Sequence, residues 1–403
     1  MEVKTISREC IKPSSATPLH LKSYKLCLLD QYQNHQYLSL FFYYPLNLSG
    51  AAANIDLILF NRLQLLKQSL SETLVQYYPL AGKLTEIYSI DCNDEGIYFQ
   101  EARAKSSLNE FLSKPDLCLI NKFIPVDGNE QSGQITGAHA AKVQVVNIRE
   151  KQYHILFMML HLYFLLALGT RFCRTGRFVT KRFVFEAKAI AELKARAISS
   201  SVRNPTRVEV VSALLAKPIM AAVETKSGSH KPTFLTHAVN LRRKAKPPLS
   251  EHLVGNIIYH VNTLCTDDDV EIDDLVCQLR EAITRLDGDF VKSLQGAGGF
   301  RNLCQEIKDE AEVYTEVKDR ILFTGWCSFK GFYDINFGWG KPIWVSVAGF
   351  GGSTISIYPY IVLMNTRLGD GIEAWVNLLE DDVNLLQVDK QLLAFATLDP
   401  SPL

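Results

Sequence analysis

The chain has 403 residues, which is more than one ordinary hydrophobic core and predicts two domains. Its composition, 47% hydrophobic and 21% charged, is typical of folded globular proteins and excludes a disordered or fibrous chain. Lysine plus arginine and aspartate plus glutamate are 43 each, so no overall field favours nucleic acid or an anionic membrane, and neither is expected as a partner.

Residues 1–25 contain no continuous apolar core and no small-residue cleavage pattern, so no signal or transit peptide is expected. The nine cysteines are scattered without a Cys-x-x-Cys pair. Such spacing indicates reduced thiols rather than a disulfide framework or a zinc site. These features predict a cytoplasmic protein.

The first periodic segment is residues 61–78, where Leu63, Leu66, Leu70 and Leu74 recur at helical spacing. We predict an amphipathic helix there, ended by the proline and glycine of YYPLAGKL. Residues 97–104, 140–148 and 153–161 alternate or are apolar throughout, and each predicts a strand.

The segment HILFMMLHLYFLLALG, residues 154–169, carries no formal charge, and His154 and His161 are its only ionisable groups. It is open to three interpretations: a membrane span, a buried core segment or the wall of an active site. A span needs about 20 apolar residues, a length reached only by counting Gln152 and both histidines. Histidine also finds partners more easily inside a protein than in lipid, so a protein interior is favoured.

The chain changes character after residue 170, where an arginine-rich stretch leads to a predicted strand at Phe183–Phe185. Helices are predicted over 187–197 and 206–223, the second with Thr206 as its N-cap and a kink at Pro218. Strands are predicted at 233–241 and 256–264 around the basic loop 242–252. The region from 331 to 378 is rich in predicted strands joined by glycine turns, and a closing helix begins near 379.

The acidic run at residues 267–274 has two interpretations, a cation site or the start of a helix. Acids favour a helix N-terminus because the exposed N–H groups and the helix dipole attract them. We therefore predict a helix start and no metal.

The segment YDINFGWGKP, residues 333–342, resembles the C-terminal signature of the BAHD family of plant acyl-CoA-dependent acyltransferases. Further segments occur in family order: IKPSSATP, LLDQ, YYPLAGKL, KRFVFE, VNLRRKAKPPL, GNI and NTRLGDGIEAW. The resemblance covers most of the chain. It is strongest to the alkaloid-acetylating branch typified by vinorine synthase.

The resemblance implies a two-domain α/β coenzyme A-dependent acyltransferase fold, with mixed sheets, flanking helices and a channel between the domains. We divide the chain into an N-terminal domain (1–170), a shortened crossover (171–180) and a C-terminal domain (181–403). Acyl-CoA, expected to be acetyl-CoA, would be a co-substrate, and no cofactor would be bound permanently. The other partner would be a small-molecule acceptor, and a monomer is expected.

The same resemblance assigns the catalytic base to His161, since the family places the histidine of its His-x-x-x-Asp motif after an apolar strand. A neutral imidazole can take a proton from an acceptor hydroxyl or amine during attack on a thioester. From the local pattern alone, a core histidine satisfied by a backbone carbonyl is an open alternative.

Three features depart from the family. Leu165 replaces the motif aspartate, which in the family pairs with an arginine. Asn336 replaces the aspartate of the second signature, and Lys244 stands where relatives commonly have a second arginine. The long family stretch between the catalytic motif and KRFVF is reduced to ALGTRFCRTGRFVT.

The second signature comprises Asn336, Phe337, Gly338, Trp339 and Gly340. We expect it to shape the site through a glycine-permitted bend rather than to react. Lys181 and Arg182 are candidates to hold a coenzyme phosphate, the alternative being a solvated loop end.

Three functions remain open. The chain is an acyl-CoA-dependent O- or N-acyltransferase of plant specialised metabolism, a catalytically impaired relative that keeps a binding channel, or an incomplete gene product of the same family. The retained His161 and Trp339 favour the first. Leu165, Asn336 and the short crossover favour the other two.

Overall fold

The structure is a computed structural model. It describes residues 2–32, 35–45, 54–85, 88–105, 108–113, 115, 117–125, 137–148, 153–163, 172–227, 232–266, 270–313, 317, 319–329, 331–349 and 351–403.

The N-terminal half contains strands and four described helices. The strands are β1 (Glu2–Ile11), β2 (Ser23–Lys25), β3 (His35–Pro45), β4 (Lys83–Leu84), β5 (Ser89–Asp91), β6 (Ile97–Lys105), β7 (Ala141–Ile148) and β8 (Tyr153–Tyr163). The helices are α1 (Leu28–Tyr32), α2 (Ile55–Gln76), α3 (Leu108–Ser113) and α4 (Leu117–Ile120).

The C-terminal half has longer helices. Its strands are β9 (Arg174–Phe185), β10 (Thr233–Asn240), β11 (Ile258–Cys265), β12 (Asp319–Gly325), β13 (Trp344–Val347), β14 (Gly351–Ile357), β15 (Tyr360–Asn365), β16 (Ile372–Leu379) and β17 (Thr397–Leu398). Its helices are α5 (Ala187–Arg196), α6 (Arg207–Ser227), α7 (Ile272–Thr284), α8 (Gly288–Ser293), α9 (Gly299–Val313), α10 (Glu380–Leu386) and α11 (Lys390–Leu393).

The strands form two large mixed sheets. The first has the order β1-β6-β7-β8-β3-β13, so a strand from the C-terminal half completes the N-terminal sheet. The second has the order β11-β10-β12-β15-β16-β9-β14, and β17 also pairs with β9. The division at residues 170 and 181 remains a prediction, but the described pairing shows that β13 belongs to the N-terminal sheet.

The uncharged run forms a strand as far as it is described. β8 lies between β7 and β3 and is antiparallel to both, so it has a paired strand on each side from Tyr153 to Leu160. In the part of the chain that the structure describes, no helix is long and apolar enough to cross a membrane. The prediction of a strand at 153–161 is confirmed.

Strand β9 is longer than predicted, because it begins at Arg174 rather than at Phe183. Residues 174–180 therefore pair within the C-terminal sheet. Their side chains alternate, with Thr175 and Arg177 exposed and Phe178 and Thr180 buried. Arg177 lies on the exposed face, whereas Arg174 lies on the buried face and pairs with Asp319 and Asp382, a pairing that the local sequence pattern does not reveal.

Two predicted helix starts are confirmed. Thr206 and Glu209 form a capping box: Glu209 N donates to Thr206 Oγ1 at 3.2 Å, and Thr206 N donates to Glu209 Oε2 at 2.7 Å. Pro218 lies inside α6. Helix α7 begins after Glu271 with Asp273 and Asp274 in its first turn. Across the described residues, no three His, Cys, Asp or Glu side chains converge as metal ligands would.

Candidate active site

The predicted base lies near the end of a central strand. His161 of β8 pairs with Tyr37 of β3, one position beyond the last pair between β8 and β7, Leu160 with Ala141. His154 lies near the opposite end and pairs with Tyr44 and Asn147. Leu165 lies outside the described residues.

The side chains of β3 show which residues each face of the N-terminal sheet contacts. Phe41 and Tyr43 are fully buried, and Tyr43 stacks on Trp344 at 4.8 Å between ring centroids. Trp344 is itself 5.8 Å from Trp375 in the C-terminal sheet. Tyr44 lies on the other face, against Phe337 and Trp339. One face of the N-terminal sheet is therefore directed at the C-terminal sheet, and the other holds the second signature.

Asn336 closes the loop of the second signature. Its Oδ1 accepts hydrogen bonds from the backbone N–H groups of Gly338, at 2.9 Å, and Gly340, at 3.0 Å. Gly338 has φ 95° and Gly340 has φ 109°, a region that side-chain-bearing residues rarely adopt. The asparagine amide oxygen thus supplies the acceptor that this bend needs, without a carboxylate.

Phe337 and Trp339 of the loop pack against the sheet. Their ring centroids lie 6.0 and 6.4 Å from that of Tyr44, whose hydroxyl donates to Ile335 O at 3.1 Å. The Arg62 guanidinium carbon lies 5.5 Å from the Trp339 ring, and burial lowers the pKa of Arg62. The cavity beside these groups holds about 20 Å³, room for about one water. These contacts are structural and leave no space there for a substrate.

The two candidate phosphate ligands have protein partners. Lys181 Nζ lies 3.0 Å from Asp399 Oδ2 and is one-third exposed. Arg182 Nη1 lies 3.1 Å from Glu373 Oε2, its Nη2 donates to Pro400 O, and 2% of its side chain is exposed. Its guanidinium carbon lies 5.1 Å from the Trp344 ring and 5.8 Å from the Trp375 ring. A guanidinium enclosed in this way joins the two sheets and is not available to a phosphate.

Two residues that the sequence did not single out fix the loop from 241 to 257. Asp30, 2% exposed, accepts from Asn256 N at 2.5 Å and from Cys27 N at 3.0 Å. Arg242 donates to Leu253 O and Gly255 O at 2.8 and 2.7 Å. The only available sequence signal was the charge of Asp30 within the apolar segment LLDQ. The N-terminal half thus holds the basic loop of the C-terminal half in place.

Family comparisons agree with this architecture. The model of the Transferase family matches residues 1–147 and 169–393. The chain belongs to the BAHD acyltransferase family. The predicted family is confirmed, and so is the predicted enzyme class, an acyltransferase.

Two relatives share about half of their residues with this BAHD chain over its full length and theirs. One is a limonoid 7-O-acetyltransferase from Citrus sinensis, 50% identical over 460 aligned positions, and the other an epi-neemfruitin B 7-O-acetyltransferase from Melia azedarach, 49% identical. Akuammiline synthase 2 of Alstonia scholaris is 33% identical, covering 100% of this chain and 98% of its own length.

Solved structures confirm the predicted fold class. Vinorine synthase matches over the whole of both chains with a TM-score of 0.78 and 26% identity. TRI101 of F. graminearum, complexed with coenzyme A and T-2 mycotoxin, has a TM-score of 0.66 and 14% identity over 93% of this chain and 99% of its own. The second match bears on the fold alone.

Proposed function

We propose that this protein is an acetyl-CoA-dependent O-acetyltransferase whose acceptor is a hydroxyl group of a limonoid, with His161 as the general base. The observation that carries the acceptor class is the 50% identity to a limonoid 7-O-acetyltransferase over the full length of both proteins. The alkaloid-related relative is less similar, at 33%, so a limonoid replaces the alkaloid that the sequence resemblance suggested.

The chemistry requires one base and no covalent enzyme intermediate. The imidazole of His161 removes the proton of the acceptor hydroxyl as its oxygen attacks the thioester carbonyl. The tetrahedral intermediate collapses, the C–S bond breaks, and the leaving thiolate takes the proton from the imidazolium. The products are the acetyl ester and free coenzyme A.

The strand register supports His161 over His154 as the base. Residue 161 pairs with Tyr37, which belongs to the same alternate series of β3 as Phe41 and Tyr43. Tyr43 of that series packs through Trp344 towards the C-terminal half, where a channel between the domains would lie. Residue 154 pairs with Tyr44, in the series that packs against the second signature.

The test is thiol release from acetyl-CoA with a limonoid that has a free 7-hydroxyl. His161→Ala should lower the rate by about 10²–10⁴-fold, and the matched control His154→Ala should keep most of it. Mass spectrometry of the acceptor should show one added acetyl group. Equal rates in the parent and both variants would refute the assignment of the base.

A second candidate, a non-catalytic relative or an incomplete gene product, is favoured by one specific observation. The family match is interrupted from 148 to 168, around β8, and the 403 residues here extend over 460 aligned positions with the citrus relative. Sequencing the transcript across codons 145–190 tests this. A longer frame with a His-x-x-x-Asp motif indicates an incomplete product, whereas an unchanged transcript without acetyl transfer indicates a non-catalytic relative.

A further inference from the structure

A polar cluster lies within the C-terminal sheet, apart from the second signature. Thr236 of β10 donates from Oγ1 to Asn262 Oδ1 of β11 at 2.6 Å. Asn262 Nδ2 donates to Glu310 Oε2 of α9 at 3.1 Å, and Arg320 Nη2 of β12 donates to Asn262 Oδ1 at 3.3 Å. We call these four residues the Asn262 cluster.

The cluster lies on the sheet face directed at the N-terminal half. On β10, Leu235 packs with the helices of the C-terminal core, so Thr236 lies on the opposite face. Along that face, Ala238 is in register with Thr324, Val362 and Trp375 of successive strands. Val362 and Trp375 pack into the N-terminal core, which fixes the direction of this face.

The side-chain amide of Asn262 forms hydrogen bonds with both Arg320 and Glu310. Among the described contacts there is no ion pair between these two residues. Elsewhere in this half, buried or half-buried arginines meet carboxylates directly: Arg174 with Asp319 at 2.5 Å, and Arg280 with Glu209 at 2.5 Å. Arg320 Nε is buried and has no hydrogen-bond partner. A buried donor without a partner costs free energy, so stability alone does not explain the arrangement of Arg320 beside Glu310.

The surroundings of Arg320 are largely apolar. Its guanidinium carbon lies 5.1 Å from the Phe172 ring, which packs edge-on to Phe234 at 6.0 Å between centroids. Leu322 and Tyr358 belong to the same apolar cluster. Burial raises the pKa of Glu310, and the attraction of Arg320 opposes that rise.

One cation among aromatic side chains suits a neutral oxygen on an apolar molecule. The phosphates of coenzyme A carry several charges and are better bound by several exposed cations, whereas ligand pockets orient apolar molecules with a few polar groups. A site built to donate to a ligand oxygen discriminates strongly against molecules that lack it, because its donor is then left unpaired.

We propose that Arg320, positioned by Asn262, is a specificity-determining residue that donates to a carbonyl oxygen of the acceptor, remote from the hydroxyl that is acetylated. This inference rests on the proposed limonoid acetyltransferase function. It assigns the Asn262 cluster to acceptor recognition and not to binding of acetyl-CoA.

The test compares Arg320→Met, which removes the donors and keeps the length, with Arg320→Lys and with Arg301→Met, an exposed control on α9. Loss of one hydrogen bond to a charged group should raise the KM for the 7-hydroxylated limonoid about tenfold. The KM for acetyl-CoA and kcat should stay near those of the parent, and the melting temperature is measured alongside to separate a loss of folding from a loss of recognition. Arg320→Lys should be intermediate, and Arg301→Met should match the parent.

Thr236→Val provides a gentler variant, since it removes only the hydroxyl that supports Asn262, and it should raise the same KM by a smaller factor. An unchanged limonoid KM in Arg320→Met, or an equal rise in both KM values, would overturn the inference. If Arg320→Met does not fold, Thr236→Val decides in the same way. Calorimetric titration with the limonoid alone separates the two proposals. If the parent binds the limonoid more tightly than Arg320→Met does but does not acetylate it, the proposed function fails and the inference about Arg320 stands.

Discussion

At the residue scale, His237 shows how an ionisable group can be held neutral by burial. It lies on β10, 5% exposed, with its ring stacked on that of Phe323 at 4.9 Å and 7° between planes. Neither ring nitrogen has a hydrogen-bond partner. Burial lowers the pKa of His237 from 6.5 to about 3, against the attraction of Glu209. Burial likewise lowers the pKa of His260 to about 3, assisted by Arg320.

The depressed pKa of His237 predicts acid sensitivity. Between its folded pKa of about 3 and its ordinary value of 6.5, the unfolded chain binds a proton that the folded chain does not. Stability is therefore lost as pH falls below 6.5, by up to about 1.4 kcal/mol per pH unit. His237→Leu should weaken the dependence of the free energy of unfolding on pH between pH 7 and pH 5, measured with urea.

The matched control is His252→Leu, at an exposed position of the basic loop, which should keep the parent's pH dependence. His237→Leu should also be at least as stable as the parent at pH 7, because no hydrogen bond to the ring is lost. A variant as acid-sensitive as the parent would contradict the assignment to His237.

Sequence reasoning succeeded for residues whose role follows from local pattern and failed where partners are distant. Thr206 was predicted as an N-cap from its neighbours, and it caps α6 with Glu209. Arg182 was predicted at a phosphate site or a solvated loop end, but Glu373 and Pro400 enclose it. No spacing rule connects residues so far apart in the chain, and the charge alone suggested exposure.

At the element scale, the C-terminal segment 397–403 forms hydrogen bonds with both halves of the chain. β17 pairs with β9, and Asp399 accepts from Arg182 N at 2.8 Å and pairs with Lys181. Ser401 Oγ then donates to Leu112 O of α3 at 3.0 Å. A short segment therefore satisfies polar groups on the C-terminal sheet and also contacts the N-terminal half.

Deletion of residues 399–403 should destabilise the protein, because it leaves the buried Arg182 with fewer partners. The loss of hydrogen bonds to charged groups predicts a decrease of at least about 2 kcal/mol in the free energy of unfolding. Urea denaturation followed by circular dichroism measures it. Ser401→Ala, which removes one neutral hydrogen bond, should cost about 1 kcal/mol or less. A truncated protein with the parent's urea midpoint would contradict this role.

Helices and strands with strong local patterns could be predicted from the sequence, but the pairing of the strands could not. The leucine spacing predicted most of α2. The helix begins earlier than predicted, directly after its N-cap Asn54. β13 was within a predicted strand region, but its partner β3 lies near the other end of the sequence. Register between such distant strands depends on packing of both halves, for example Tyr43 on Trp344.

At the scale of the whole molecule, the ion pair between Arg182 and Glu373 lies where the two sheets meet. Both side chains are almost completely buried, with 2% and 8% exposed, and Arg182 lies against Trp344 of the N-terminal sheet. Such a pair contributes little net stability relative to apolar residues, but removal of one partner leaves a buried charge.

Arg182→Met should therefore lower the free energy of unfolding by about 3–5 kcal/mol, as should Glu373→Gln. The double variant should recover part of this loss, because no charge remains unpaired. Urea denaturation of all four proteins completes the cycle. The exposed pair Arg243 and Glu251 is the control, and Arg243→Met should cost about 1 kcal/mol or less. Additive losses in the double variant would show that the pair is not coupled.

The position of β13 has a consequence for biosynthesis. The N-terminal sheet lacks its edge strand until the ribosome has passed residue 347, so β3 presents an open edge while most of the C-terminal half is being made. An unpaired strand rich in aromatic residues is a template for aggregation. The nascent N-terminal half therefore exposes this edge until β13 has been made, and a fragment that ends near residue 170 would lack the strand that covers it.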